Sequence, residues 1–160
     1  PYLLSIDNGT QSVRVLAFDL NGNEVAKSKV NLEAYVSENP GWAEQDAEYY
    51  WQSLTKAFEN FWAKGTVKPE QVRGVSLTTQ RYTMINLDEH KKPLRPAIVW
   101  MDQRKAEPEK PLSGPLGFAI KMLGLSNLIA ELRSKARCNW LLQTEPEVWQ
   151  KKNHYFTLSG

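Results

Sequence analysis

Tyr2-Leu3-Leu4-Ser5-Ile6-Asp7-Asn8-Gly9-Thr10-Gln11-Ser12-Val13-Arg14 opens the chain with an apolar run that stops on a carboxylate, bends through polar residues and resumes as a second apolar run. A short, nearly continuous apolar stretch is the mark of a buried strand. The bend is too short for a crossover helix, so Val13 to Asp19 is expected to return antiparallel to the first strand. Asn21-Gly22 then supplies a strong hairpin signal. Glu24 to Leu32 alternates, with Ala26, Ser28, Val30 and Leu32 on one face. Three consecutive antiparallel strands result.

Working outward, Asp46 is suited to cap a helix on which Tyr50, Leu54, Ala57, Phe58 and Phe61 share a face, with Gly65 placed to end it. Val72 to Leu77 is a second buried run, so the helix is expected to cross over to a strand parallel to the first. Thr83 to Leu87 and Ala97 to Trp100 read as two more strands around a polar turn at Glu89 to Lys92. Three strands, a helix, a strand and a strand pair in this order give a mixed α/β sheet with antiparallel strands on one side.

The character changes at about Lys105, which divides a sheet core over 1–104 from a mostly helical extension over 105–160. Pro108, Pro111, Gly114, Pro115 and Gly117 mark a loop. Leu128, Leu132, Ala136 and Trp140 follow as a helical stripe, and Pro146 to Trp149 opens a short helix. The last residues, Tyr155 to Gly160, have no polar tail and read as a chain interrupted.

Composition narrows the function. Of the 160 residues 41% are hydrophobic and 24% charged, ordinary for a globular protein. The 20 Lys and Arg are scattered among 18 acids, and no basic stripe marks nucleic acid or an anionic membrane as a partner. No stretch approaches the roughly 18 apolar residues of a membrane span. The single Cys138 has no intramolecular disulfide partner. With no secretory leader in view, a cytoplasmic location is expected.

Four segments carry chemistry. In the first, Gly9 lets the backbone turn sharply and approach a ligand. Successive N–H groups with the Thr10 and Ser12 hydroxyls can meet phosphate oxygens, Arg14 can neutralise their charge, and Asp7 can hold a magnesium ion through water. A plain hairpin with a structural aspartate fits the same residues. The second, Asn39 to Asp46, reads as a turn and helix cap, with Trp42 as a packing anchor. The third, Gln80-Arg81-Tyr82, follows the strand parallel to the first, where open α/β sheets collect ligands. Gln80 and Arg81 suit a hydroxyl-rich molecule, although a solvated loop is the plainer alternative. In the fourth, Trp100 can present a flat face to a sugar and Asp102 can bind hydroxyls or pair with Arg104; a buried tryptophan at a strand end beside a structural ion pair fits the segment equally well. His90 and His154 read as solvated.

Together, DNGTQSVRVLAFD at 7–19, NPGWAEQD at 39–46, VRGVSLTTQR at 72–81 and LRPAIVWMDQR at 94–104 resemble the N-terminal portion of the FGGY carbohydrate kinases. The resemblance implies an α/β fold of the ribonuclease-H-like, actin and hexokinase type, a mixed five-stranded sheet with flanking helices, here the incomplete first domain of a two-domain kinase. It implies ATP and Mg2+ as cofactors and a small sugar or polyol as acceptor. Gly9, Thr10, Gln11, Ser12 and Arg14 would meet the ATP phosphates, with Asp7 near the metal through water. Gln80, Arg81, Tyr82, Trp100 and Asp102 would bind the acceptor. Glycerol kinases carry Arg-Glu and xylulose kinases Met-His at the positions of Arg81 and Tyr82, so the acceptor stays open. The family's catalytic base, an aspartate, is expected beyond residue 160, and these residues alone are expected to be inactive.

Two rivals share the fold. A metal-dependent nuclease needs clustered carboxylates, and Thr78-Thr79-Gln80 offers none. A non-catalytic nucleotide- or partner-binding module would keep the fold without the reaction. Surface left uncovered by a shortened core would favour self-association, with a homodimer as one outcome.

Overall fold

The computed structural model describes residues 1–33 and 35–158 and contains eight strands and five helices among them. Four strands form the first sheet: β1 (Tyr2–Asn8), β2 (Ser12–Phe18), β3 (Glu24–Asn31) and β5 (Val72–Thr79), in the order β3-β2-β1-β5. β1, β2 and β3 are antiparallel neighbours, and β5 lies parallel to β1 with Asp7 opposite Thr78 and Asn8 opposite Thr79. The β2–β3 turn is wider than a two-residue hairpin. The Asp19 carboxylate accepts the N–H groups of Asn21 and Asn23, both at 2.9 Å, and Gly22 takes φ 85°.

Helix α1 (Ala47–Trp62) crosses between β4 (Glu44–Gln45) and β5. Asp46 accepts the Glu48 N–H at 2.9 Å, satisfying one of the donors that a helix start leaves free. Its apolar face delivers Ala57 and Phe61 onto Leu4, Val13, Val15 and Ala17, and this packing is the main core. Burial of such side chains, at roughly 25 cal/mol per Å² of apolar surface, is what holds the helix to the sheet. The helix sits over β2 and β3, so Val75 and Leu77 on the edge strand β5 stay exposed.

The remaining strands do not join this sheet. β6 (Met84–Leu87) and β7 (Ala97–Ile98) pair with each other only at Met84 and Ile98. With β4 and β8 (His154–Thr157) they form a second antiparallel sheet, ordered β4-β7-β6-β8. The expected five-stranded sheet is thus two four-stranded ones, within the same mixed α/β class. Pro96 lacks an N–H and directly precedes β7, which keeps that strand short. The second core gathers Ile98, Ala106, Trp140 and Leu141, with Trp42, Trp149 and Tyr155 against it.

The helical extension departs from the expected pattern twice. α2 (Gly114–Met122) begins inside the stretch read as loop, because Pro115 sits in its first turn, where a missing N–H costs nothing. The stripe from Leu128 to Trp140 is divided at Ala136 (φ −70°, ψ 113°) between α3 (Ser126–Lys135) and α4 (Arg137–Thr144). Only its last member is buried; Leu128 and Leu132 are exposed. α5 (Pro146–Lys151) is the expected short helix, and Tyr155 to Thr157 belong to β8. Ser159 and Gly160 lie outside the described residues. Among the described residues, no single helix is long and apolar enough to cross a membrane.

Candidate functional site

The parallel pairing of β1 with β5 brings two strand-end loops side by side. After β1 the backbone folds tightly, the Gly9 N–H donating to the Ser12 carbonyl at 3.1 Å. After β5 comes Gln80-Arg81-Tyr82, and Tyr82 adopts φ 63°, the left-handed region that non-glycine residues rarely enter. Such backbone conformations gather at ligand sites, where surrounding contacts hold them. The Gln80 amide clasps the loops together, donating to the Gly9 carbonyl at 2.8 Å.

These loops and Trp100 enclose a cavity of about 520 Å³. Its walls are Asp7, Asn8, Gly9, Thr10, Thr79, Gln80, Arg81, Tyr82 and Trp100. Tyr82 (73% exposed) and Trp100 (49% exposed) also border a larger cavity of about 790 Å³, which continues over Met84, Lys105, Leu132, Arg137 and Tyr155. The two aromatic side chains therefore stand where the spaces adjoin. The Trp100 indole N–H donates to the Thr10 hydroxyl at 2.9 Å. With that oxygen accepting from the indole, the Thr10 proton is free to be given to another acceptor.

The structure brings seven residues singled out from sequence onto the smaller cavity: Asp7, Gly9, Thr10, Gln80, Arg81, Tyr82 and Trp100. Four others stand elsewhere. Ser12 is buried and its hydroxyl accepts from Arg14 Nε at 3.3 Å. Arg14 also pairs with Asp7 at 3.6 Å, opposite it in the β1–β2 register, and is not part of the cavity wall. Gln11 faces a separate space of about 720 Å³, bordered by Lys29, Tyr50 and Trp100. Asp102 borders the larger cavity, but its carboxylate is wholly covered. It accepts the Ala43 N–H at 2.7 Å and the Arg104 guanidinium, so the fold already uses the polarity read as hydroxyl-binding. Trp42 is the packing anchor expected, meeting Trp140 edge to face at 5.5 Å.

Sequence reasoning passed over three residues. Thr83 is fully buried beneath the site, its hydroxyl donating to Gln80 Oε1 at 3.1 Å and accepting the Trp100 N–H at 3.2 Å. Arg137 Nη2 reaches the carbonyls of Val99, Trp100 and Asp102 at 3.1–3.2 Å and pins the segment that carries Trp100. Burial pushes the Arg137 pKa down, with the Asp102 charge opposing that shift. Tyr155, packed against Trp149, is pushed up to about 12, chiefly by burial. Thr83 and Arg137 lie in stretches legible only as strand and helix, and Tyr155 in the closing segment; tertiary packing, not a local motif, brings all three to the site.

Asp7 supplies the only carboxylate on the smaller cavity, and among the described residues no three His, Cys, Asp or Glu side chains converge as a metal cage. One hard oxygen ligand beside an open space fits magnesium, which keeps most of its water shell and takes few protein ligands.

Comparison with known proteins extends over the whole chain. The glycerol kinase of Lactobacillus acidophilus is 32% identical over 168 aligned residues, covering 99% of this chain and 32% of that one. A solved xyloylose kinase from Brucella ovis shares the fold with a TM-score of 0.74 at 20% identity, covering 99% of this chain and 32% of that chain. The structure of Plasmodium falciparum glycerol kinase with ADP superposes with a TM-score of 0.68 at 25% identity, again over 99% and 32%. The chain thus spans about a third of the length of these relatives. The model of the FGGY family of carbohydrate kinases, N-terminal domain, matches residues 2–159, and the chain belongs to that family.

Proposed function

We propose that the protein containing this domain transfers the γ-phosphoryl group of ATP to a hydroxyl of a sugar or polyol, and that this domain supplies the first phosphate-binding loop and one wall of the acceptor pocket. The observation that carries the reading is the cavity that Asp7, Gly9 and Thr10 line together with Arg81, Tyr82 and Trp100, the last two of which also border the larger cavity. The ADP of the Plasmodium relative supports the nucleotide half, and the relatives' names support the acceptor half.

Each residue has a definite task in this reading. The Gly9 backbone can approach the triphosphate closely, and a Cβ there would come within 3.2 Å of the Ser12 carbonyl. Thr10 gives its free proton to a phosphate oxygen. Asp7 would hold magnesium through water, and the ion when bound would neutralise charge on the phosphates. Ser12 and Arg14 act from behind, stiffening the turn rather than touching the nucleotide. Arg81 has no ion-pair partner among the described residues and is available to an anionic or hydroxyl-rich ligand. Tyr82 and Trp100 offer apolar faces for the C–H side of the acceptor, as apolar walls with a few polar groups do in small-molecule pockets. Catalysis of phosphoryl transfer rests mostly on such positioning and electrostatics.

A kinase assay of the full-length protein with Mg-ATP against pentuloses, hexuloses, polyols and sugar acids tests the reading. Turnover of at least one class is expected, with Asp7→Asn lowering kcat/KM roughly 100-fold. Absence of turnover across the panel, together with no measurable Mg-ATP binding, would leave only a non-catalytic scaffold.

A further inference from the structure

Four hydrogen bonds link the phosphate loop to the acceptor wall in a closed path. The Trp100 N–H donates to the Thr83 hydroxyl at 3.2 Å, and that hydroxyl donates to Gln80 Oε1 at 3.1 Å. Gln80 Nε2 donates to the Gly9 carbonyl at 2.8 Å. From its other end, Trp100 donates its indole N–H to Thr10 Oγ1 at 2.9 Å. Trp100 is a donor at both ends, and both paths finish on adjacent residues of the phosphate loop. The longer path runs head to tail, an arrangement in which each bond polarises the next.

Thr83 is the joint of this circuit. It is fully buried and borders none of the cavities that meet at Trp100. Any influence its hydroxyl has on a ligand must therefore pass through Gln80 or Trp100. Its hydroxyl has one proton, spent on Gln80, and it accepts from Trp100, so its polarity is consumed internally.

We infer that Thr83 is a positioning residue that makes nucleotide and acceptor binding interdependent, by tying the Trp100 wall to the Gly9-Thr10 turn through Gln80. A phosphate group that settles on Gly9 and Thr10 fixes both ends of the circuit at once. Trp100 is then held in one orientation toward the larger cavity, and the acceptor meets a wall already in place. Reciprocity follows from linkage: whatever factor the nucleotide adds to acceptor affinity, the acceptor adds to nucleotide affinity. This inference rests on the kinase reading for the identity of the two ligands, not for the circuit itself.

The test uses full-length protein and two variants, Thr83→Val, which keeps the shape and removes the hydroxyl, and Thr83→Ser, which keeps it. Calorimetry with glycerol and with D-xylulose, with and without Mg-ADP, measures the coupling. At least about fivefold tightening of one acceptor by Mg-ADP is expected in the wild type and in Thr83→Ser, and less than twofold in Thr83→Val. Hydrogen exchange at the Trp100 indole N–H, followed by NMR without ligand, gives an independent measure. It is expected to quicken roughly tenfold in Thr83→Val and to stay within twofold in Thr83→Ser. Coupling that survives in Thr83→Val, a wild type showing no coupling or no binding of either acceptor, or equal impairment by both substitutions would each overturn the inference. Phosphoryl transfer without coupling would sink the inference and leave the kinase reading intact. Coupling without transfer to any acceptor would do the reverse.

Discussion

The Arg104 guanidinium donates to both oxygens of the Asp102 carboxylate, Nε to Oδ1 at 2.8 Å and Nη2 to Oδ2 at 2.7 Å. The same guanidinium lies 3.9 Å from the Trp42 ring centre and 4.5 Å from that of Trp140, and it reaches Glu44 at 2.7 Å. Arg95 brings Glu44 and Glu145 into the group. Two arginines and three carboxylates, faced by two indoles, join β4 and β7 to α4 and its neighbour α5. A planar, delocalised cation suits such stacking where an ammonium would not.

Arg104→Ala should therefore be costly. It leaves a covered Asp102 carboxylate without its counter-charge, a change worth about 3–5 kcal/mol. Urea unfolding of the variant checks this. The double variant Asp102→Leu with Arg104→Met should lose less than the single one, since it strands no charge on Asp102.

Thr10→Val should weaken nucleotide binding and also loosen the Trp100 wall, since it removes the acceptor of the indole N–H. On the proposed kinase reading the lost bond is one hydroxyl to a charged phosphate, about 1.5–3 kcal/mol, or roughly 10- to 150-fold in Mg-ATP affinity. Titration calorimetry measures it. A change confined to the acceptor KM, with Mg-ATP affinity intact, would remove Thr10 from the phosphate site.

Alkaline pH should loosen the second core through Tyr155. Its folded pKa, near 12, lies above the unfolded value of 10.0, so the folded state holds the proton more tightly. That contribution is fully present below about pH 10 and is lost as pH rises toward 12. Thermal unfolding between pH 9 and 11.5 should show a falling midpoint, and Tyr155→Phe should flatten that part of the curve.

Gly117→Ala should displace α2. A Cβ at this position would overlap the Leu112 carbonyl, a backbone atom that no side-chain rotation can move aside. Overpacking of this kind costs about 1–3 kcal/mol. Faster amide exchange along Gly114–Met122, with α1 unchanged, is the expected signature.

How far the sequence could be read depended on the range of the interactions. β1, β2, β3, α1 and β5 declare themselves because each carries its own periodicity, and the polar bend after Ile6 leaves one way back. In the second sheet β6 and β7 were legible as strands, but nothing local showed that they leave the first sheet to pair with β4 and β8. β7 is two residues long, and β8 is defined only by pairing with β6, as in Met84 with Thr157. The site followed the same rule. Gly9, Thr10 and Gln80 to Tyr82 were legible as strand-end loops. Ser12, Arg14 and Asp102 have the right functional groups, but the fold spends those groups on Arg14, Asp7 and Arg104. Nothing local marked Thr83, because its importance comes from Trp100 arriving beside it.

The Leu158 N–H donates to the Thr83 carbonyl at 3.1 Å, and β8 lines the flank of β6 just beyond it. A ribosome making this chain would thus finish the strands of the first sheet once Thr79 had cleared the exit tunnel, yet have to wait for His154 to Leu158 before the opposite bank could close. Pairings between distant stretches of chain form slowly. Until then, newborn molecules would display Trp100 beside a half-built groove, and that interval is when a chaperone would have the most to hold.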